Sequence, residues 1–259
     1  MKKLISVRSV IPSMITVLAL CLGLTAIKFS LIGKFDYAVV AVLLAAILDA
    51  ADGRIARLIK GTTKFGAELD SLADFVNFGV TPALMIYMWE LNSYGNIGWV
   101  LTLIYIICCC LRLARFNVTS IETNKSLFEN FFSGVPSPAG AGILLLPIII
   151  TFSNFSYILG KLSNFTFFII LLSSFLMISK IPTYAFKKIK VTKPYVLLIM
   201  IISVLIFGFL INYTFETLFV VGIVYIFSIP VSFIHHKILR KKYNLKTNSK
   251  ESLISEDLL

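Results

Sequence analysis

Residues 49–74 read D-A-A-D-G-R-I-A-R-L-I-K-G-T-T-K-F-G-A-E-L-D-S-L-A-D, with four aspartates in a chain that is 58% hydrophobic. Asp49 and Asp52 are three residues apart, and Asp70 and Asp74 are four apart, so each pair shares one face of a helix. Apolar runs precede and follow the stretch. Two membrane helices joined by this short basic connection would bring the four carboxylates together at one end of a hairpin.

Such a group of carboxylates needs a partner. Ionised side chains at membrane depth are rare and usually functional, and four negative charges repel each other unless cations neutralise them. Hard divalent ions, Mg²⁺ or Mn²⁺, suit an all-oxygen site, and four carboxylates can hold two of them, as in sites that clamp phosphate oxygens. Gly53 and Gly66 let a ligand approach the backbone, and Arg57 offers a planar fork for phosphate.

The spacing D-x-x-D-G-x-x-A-R, then eight residues, then G-x-x-x-D-x-x-x-D resembles the signature of the CDP-alcohol phosphatidyltransferases. Every fixed position of that signature is filled, by Asp49, Asp52, Gly53, Ala56, Arg57, Gly66, Asp70 and Asp74. The resemblance implies a homodimer with a six-helix core that transfers a group from a CDP-linked lipid to an alcohol and releases CMP.

The resemblance also implies roles for individual residues. The four aspartates would hold two divalent cations, and Asp74 would be the general base. The CDP-linked lipid would lie against a set of residues from the first three helices, namely Thr16, Gly53, Ala56, Arg57 and Gly66. Thr16 follows Pro12 near the start of the first apolar run, a region that contributes to the nucleotide pocket in this family.

Composition gives the fold class. The chain has 259 residues and a mean hydropathy of +0.91, and repeated apolar runs of about 20 residues predict an all-α, polytopic helical membrane protein. We predict eight spans, at residues 10–31, 37–59, 66–90, 95–117, 135–153, 157–179, 194–212 and 215–238. Residues 1–190 would form the transferase core, residues 191–242 two additional helices, and residues 243–259 a polar, disordered tail.

The distribution of charge predicts the orientation. An even number of spans places both termini on one side of the membrane, and of the 24 Lys and Arg residues all but Lys28, Lys34 and Lys161 fall on that side. The positive-inside rule makes it the cytoplasmic side. We therefore expect the protein in the bacterial inner membrane with the aspartates facing the cytoplasm. The net charge of +11 thus follows the membrane topology, and we predict no nucleic-acid partner.

Three further stretches resemble the phosphatidylserine synthase branch of the family: S-L-A-D-F-V-N-F-G-V-T-P-A at residues 71–83, R-L-A-R-F-N at 112–117 and F-S-G-V-P-S-P-A-G at 132–140. They imply CDP-diacylglycerol as donor, L-serine as acceptor and phosphatidylserine as product. Arg112 and Arg115 share a helix face, so they either anchor to lipid headgroups or offer positive charge to the serine carboxylate. Asn77, close to Asp74, is a further serine-binding candidate, and Pro82 predicts a kink.

Two alternatives remain at this point. A sibling transferase would use the same signature with glycerol-3-phosphate, choline or inositol phosphate as acceptor. A cation transporter would also place carboxylates in a multispan protein. Against transport, the acidic residues gather at one end of the spans, and the chain has no matching pair of broken helices in two halves.

Overall fold

The computed structural model describes residues 7–59, 61–121, 131–159, 165–184 and 195–256. These form helices, with one pair of very short strands. In chain order the elements are α1 (Val7–Leu31), α2 (Phe35–Leu58), α3 (Lys64–Asp74), a π-helical turn (Phe75–Val80), α4 (Thr81–Trp89), α5 (Asn96–Ile121), β1 (Phe131–Ser133), α6 (Ser137–Phe152), α7 (Ser156–Leu159), α8 (Thr166–Ile178), β2 (Pro182–Tyr184), α9 (Tyr195–Asn212) and α10 (Thr214–Glu256). The predicted all-α class is confirmed.

Several helices have the length and composition of membrane spans. Among the described residues, Val10–Leu31, Lys64–Trp89, Asn96–Val118 and Thr214–Ile238 are long and apolar enough to cross a bilayer, and the apolar stretches of α6, α8 and α9 are shorter. Helix α2 has 24 residues, but the charged motif occupies its end, so its composition is less apolar. The predicted sixth span is seen as α7 and α8, and residues 160–164 lie outside the described residues.

Small side chains bring the first two helices close together. Helices α1 and α2 pack along their length, and Ala19, Ala26, Ala38 and Ala45 are completely buried. Small residues let membrane helices approach closely, where packing replaces the hydrophobic driving force available in water. This close packing fixes the position of α2, which carries the first two aspartates.

The third predicted span changes its helical form in the middle. Helix α3 begins after Thr63, whose hydroxyl accepts a hydrogen bond of 2.9 Å from the Gly66 N–H and so caps the helix. The π-helical turn follows directly after Asp74, and α4 continues with Pro82 in its first turn. The irregularity that Pro82 predicts is therefore a π-helical turn placed just before the proline.

The strand pair ties two distant connections together. Strands β1 and β2 run antiparallel, with Phe132 opposite Thr183. Gly134 follows β1 with a φ of +82°, and a Cβ there would lie 2.7 Å from the Ser179 carbonyl oxygen. A left-handed backbone this close to another chain segment favours glycine. Helix α10 packs against β2 of this pair and against α6.

Helix α10 extends beyond its predicted end. The sequence predicts a disordered tail from residue 243, but the helix continues to Glu256. No proline or glycine follows Pro230 in this segment, and residues such as Leu, Lys and Glu are good helix formers. The division into a core, two added helices and a tail otherwise stays a prediction.

Candidate active site

Three aspartates from two helices meet in one place. Asp49 and Asp52 lie one turn apart on α2, and Asp70 lies on α3. One carboxylate oxygen from each of the three lies within 4.8 Å of those of the other two. The hairpin expected from the sequence thus places these carboxylates together.

Asp74 lies next to this cluster. Its side chain is in hydrogen-bonding contact with that of Asp49, and its Oδ1 atom is buried without a hydrogen-bond partner among the described residues. Two ionised carboxylates repel each other, so such an approach requires a shared proton or a cation between them. The four aspartates therefore form one continuous acidic site.

Helix α1 contributes a hydroxyl to the cluster. The Thr16 hydroxyl lies 2.6 Å from Asp52 Oδ2 and 3.1 Å from the Pro12 carbonyl oxygen, and Thr16 and Asp52 are both buried, at 3% exposure each. A hydroxyl that donates to a ligating carboxylate orients the oxygen that faces the metal. Thr16 is therefore placed to hold Asp52 in position.

A cleft of about 360 Å³ opens beside the cluster. All five residues that the resemblance assigns to the CDP-linked lipid line it: Thr16, Gly53, Ala56, Arg57 and Gly66. A Cβ added to Gly53 would meet no atom within 4 Å, so the backbone of α2 is open to the cleft. The Arg57 Nε atom donates to the Gly53 carbonyl oxygen at 3.0 Å, which holds its guanidinium at the rim.

The cleft also has residues that the sequence did not single out as ligands. Ser13, Thr62 and Thr63 line it, and their hydroxyls add hydrogen-bonding capacity. The sequence shows Gly61-Thr62-Thr63 as a turn between two membrane helices, and a polar turn gives no local sign that it faces a cleft. The proximity of Ser13 to Thr16 on α1 was the available signal.

The three serine-binding candidates lie in different surroundings. The half-buried Arg112 donates from Nη1 to the Ser137 hydroxyl, and its charge acts on Asp74. Arg115 is exposed and donates to the Ile178 carbonyl oxygen at 2.8 Å, so the arginines do not point to one place. Asn77 is completely buried in the π-helical turn, and neither atom of its amide has a hydrogen-bond partner among the described residues.

The donor set of the cluster fits a hard divalent cation. Carboxylate oxygens are the ligands that Mg²⁺, Mn²⁺ and Ca²⁺ prefer, and the three converging aspartates supply only oxygen ligands. The buried, unpaired Asp74 oxygen offers one more. The described residues around the cluster present no histidine or cysteine ligand, which would favour zinc.

The fold and the site define a helical membrane protein with an acidic cluster, suited by its oxygen ligands to a divalent cation, beside a cleft. The family model for CDP-alcohol phosphatidyltransferase matches residues 9–176, and that for CDP-alcohol phosphatidyltransferase 2 matches residues 194–230. The chain belongs to the CDP-alcohol phosphatidyltransferase family, as the sequence signature indicates.

Several relatives carry the name CDP-diacylglycerol–serine O-phosphatidyltransferase. That of Helicobacter pylori is 35% identical over 196 residues, which are 76% of this chain and 81% of the relative. That of Bacillus subtilis is 34% identical over 178 residues, 69% of this chain and 92% of the relative. That of Mycobacterium bovis is 49% identical over 133 residues, and the match covers 51% of this chain but only about half of the relative, 46%.

Proposed function

We propose that this protein transfers the phosphatidyl group of CDP-diacylglycerol to the hydroxyl of L-serine, giving phosphatidylserine and CMP. The observation that carries the proposal is the convergence of Asp49, Asp52 and Asp70 within 4.8 Å at the edge of an open cleft. The relatives whose names state this reaction support the choice of donor and acceptor.

The cleft would take the CDP part of the donor. Gly53 and Ala56 leave room for a nucleotide along α2, and the guanidinium of Arg57 at the rim can pair with a phosphate. The apolar surfaces of α1 and α2 beside the cleft face the bilayer, where Met14 and Leu58 are exposed. The acyl chains of the donor can therefore stay in the membrane while the headgroup reacts.

In the reaction, the serine oxygen forms a bond to the phosphorus that carries diacylglycerol, and the bond from that phosphorus to the CMP oxygen breaks. Asp74, whose Oδ1 atom is buried and unpaired, would accept the proton of the serine hydroxyl. Two divalent cations, Mg²⁺ or Mn²⁺, held by the four aspartates would neutralise negative charge on the pyrophosphate oxygens. Thr16 would keep Asp52 oriented throughout.

The acceptor would bind on the Arg112 side of the cluster. Arg112 is held inside the bundle by Ser137, so it can present positive charge to a carboxylate near Asp74. Arg115 and Asn77 remain candidates for the same task, Arg115 from α5, where it reaches the end of α8, and Asn77 from the π-helical turn. We further propose that the protein acts as a homodimer in the bacterial inner membrane, with its site and termini on the cytoplasmic side.

A product assay tests the acceptor. Purified protein is incubated with CDP-diacylglycerol, Mn²⁺ or Mg²⁺ and a panel of alcohols: L-serine, glycerol-3-phosphate, choline and inositol phosphate. We expect phosphatidylserine as the main lipid product and equimolar CMP. If another alcohol gives the main lipid product, that alcohol replaces serine as the proposed acceptor. If none of the four alcohols gives a lipid product, the proposal is wrong.

The metal requirement gives a second test. Asp70→Asn removes one ligand charge, so we expect turnover to fall by about two orders of magnitude or more, while the protein remains folded in the membrane. Glu68→Gln is the matched control, because Glu68 lies on the same helix but is exposed, and it should keep wild-type turnover. Full wild-type activity in excess chelator would contradict the metal-dependent reaction.

A further inference from the structure

Three buried polar atoms near Arg112 have no hydrogen-bond partner among the described residues. They are Arg112 Nε, the Tyr225 hydroxyl oxygen and Asp74 Oδ1. A buried polar group without a partner costs free energy, so native proteins rarely keep one without a reason. One of the three belongs to the guanidinium itself and the other two to groups close enough to interact with its charge, which indicates a place where a polar ligand supplies the missing partners.

The guanidinium of Arg112 is held between the acidic cluster and α10. Its Nη1 atom donates to the hydroxyl of Ser137, which is completely buried at the start of α6. Ser137 comes two residues after Val135, which belongs to the cluster against which Tyr225 packs, and Asp74 and Tyr225 are both close enough to Arg112 to interact with its charge. The Nε–H group is left over, which provides one donor next to the proposed reaction centre.

Tyr225 reaches this place from the last helix. Its ring packs on a cluster formed by Val135, Ile143, Leu176 and Ile229. The Thr183 hydroxyl nearby donates to the Gly134 carbonyl oxygen at 2.8 Å, and the Tyr225 hydroxyl forms no hydrogen bond with any of the described residues. The proton of the Tyr225 hydroxyl is therefore available as a second donor.

We propose that Tyr225 and Arg112 together form the subsite for the carboxylate of an amino-acid acceptor. The Tyr225 O–H and the Arg112 Nε–H would each donate to the carboxylate, and the neighbouring Asp74 would meet the acceptor hydroxyl. This inference rests on the proposed function and extends it, because it makes α10 part of the acceptor site. The family match over residues 194–230 includes Tyr225.

The test is steady-state kinetics of Tyr225→Phe, which removes the hydroxyl and keeps the ring. Losing one hydrogen bond to a charged group should raise the KM for L-serine about tenfold or more. The KM for CDP-diacylglycerol should stay unchanged, and kcat should change less than the KM for serine. Tyr213→Phe is the matched control, because Tyr213 also lies on the α9–α10 side but is 53% exposed.

An acceptor without a carboxylate distinguishes a role of Tyr225 in recognising serine from a purely structural role of this residue. With ethanolamine, which keeps the hydroxyl and the ammonium of serine but has no carboxylate, Tyr225→Phe and the wild type should differ by less than about twofold in kcat/KM, because the contact in question is absent from both. Tyr225→His, which keeps a ring and an N–H donor, should restore part of the affinity for serine. A purely structural role of Tyr225 would reduce the use of both acceptors equally, which would overturn the proposal.

The outcomes distinguish this proposal from the one it rests on. If the wild type makes no phosphatidylserine, the proposed function fails. If it does and Tyr225→Phe keeps the wild-type KM for serine, the subsite is wrong and the function stands. If Tyr225→Phe cannot be recovered folded, Tyr225→Met, which also lacks a donor, replaces it and the same KM comparison decides.

Discussion

The hydroxyl of Thr16 joins α1 to the acidic cluster through its 2.6 Å contact with Asp52. Asp49 and Asp70 have no such contact from α1 among the described hydrogen bonds, so Asp52 depends on this residue for its orientation. An outer residue that orients a metal ligand typically contributes ten- to a hundredfold to metal affinity or activity. Replacing the Thr16 hydroxyl by a methyl group should therefore change the metal affinity or the activity by a measurable amount.

We predict that Thr16→Val raises the Mn²⁺ concentration for half-maximal activity about tenfold, because Asp52 loses the donor that fixes its oxygen. The measurement is transferase activity against free Mn²⁺ at saturating substrates. Thr16→Ser keeps the hydroxyl and serves as the control, with an expected value close to that of the wild type. Equal metal dependence of the Val and Ser variants would show that the contact does not orient the site.

Gly23 lies against the buried amide of Asn77. A Cβ at Gly23 would stand 2.0 Å from Asn77 Oδ1, and Asn77 is completely enclosed, so its side chain has little room to move. We predict that Gly23→Ala destabilises the protein by about 1–3 kcal/mol, seen as a lower apparent Tm in detergent. Gly142→Ala is the control: a Cβ there meets nothing within 4 Å, and the change should be neutral or slightly stabilising.

Among the elements, the π-helical turn after Asp74 depends on a contact from α5. Pro82 has no N–H to donate to the carbonyl of Phe78, four residues earlier. The Tyr105 hydroxyl donates to that carbonyl at 3.0 Å instead, and Tyr105 is completely buried. The turn is thus stabilised by a partner helix, next to the aspartate proposed as general base.

We predict that Tyr105→Phe lowers the stability by about 1–2 kcal/mol, because the Phe78 carbonyl loses its partner inside the bundle. The apparent Tm should fall by a few degrees, and turnover should fall with it if the turn positions Asp74. Tyr87→Phe is the control, since Tyr87 bonds to the exposed Asn92, where water can replace the lost contact. An unchanged Tm for Tyr105→Phe would contradict this account.

The sequence predicted some of these elements better than others. Asp49 and Asp52 are three residues apart and Asp70 and Asp74 four apart, so each pair had to share a helix face. The acidic cluster was therefore predictable. The spacing of Arg112 and Arg115 also predicts a shared face, but the partners that separate them, Ser137 and the Ile178 carbonyl, come from distant segments. Pro82 indicated an irregular helix without showing that it is a π-helical turn, because a proline is compatible with several distortions.

For the whole molecule, the lengths of the apolar runs predicted the helices because a bilayer requires spans of about 20 residues. The acceptor subsite proposed for Tyr225 and Arg112 could not be predicted in this way. It depends on how α10 packs against α6 and β2, and an apolar helix carries no sign of which neighbour it will meet. The division of the chain into a transferase core and two added helices stays a prediction.

Orientation in the membrane gives a prediction at this scale. Thr62, between α2 and α3, and Asn92, between α4 and α5, are both exposed and should lie on opposite sides. In a variant without the four native cysteines, Asn92→Cys should react with an impermeant maleimide in intact cells, and Thr62→Cys only after the cells are permeabilised. Labelling of Thr62→Cys in intact cells would reverse the assigned orientation.

The cleft beside the aspartates is built from a single short part of the gene product. Every residue that lines it lies between Pro12 and Asp70, whereas Arg112, Ser137 and Tyr225 come from the remainder of the chain. The residues proposed for the nucleotide-linked donor thus come from one continuous stretch, whereas those proposed for the serine carboxylate come from later helices. The two substrates can therefore be altered separately by design: exchanging helices after residue 110 should change the choice of alcohol while leaving the donor cleft intact.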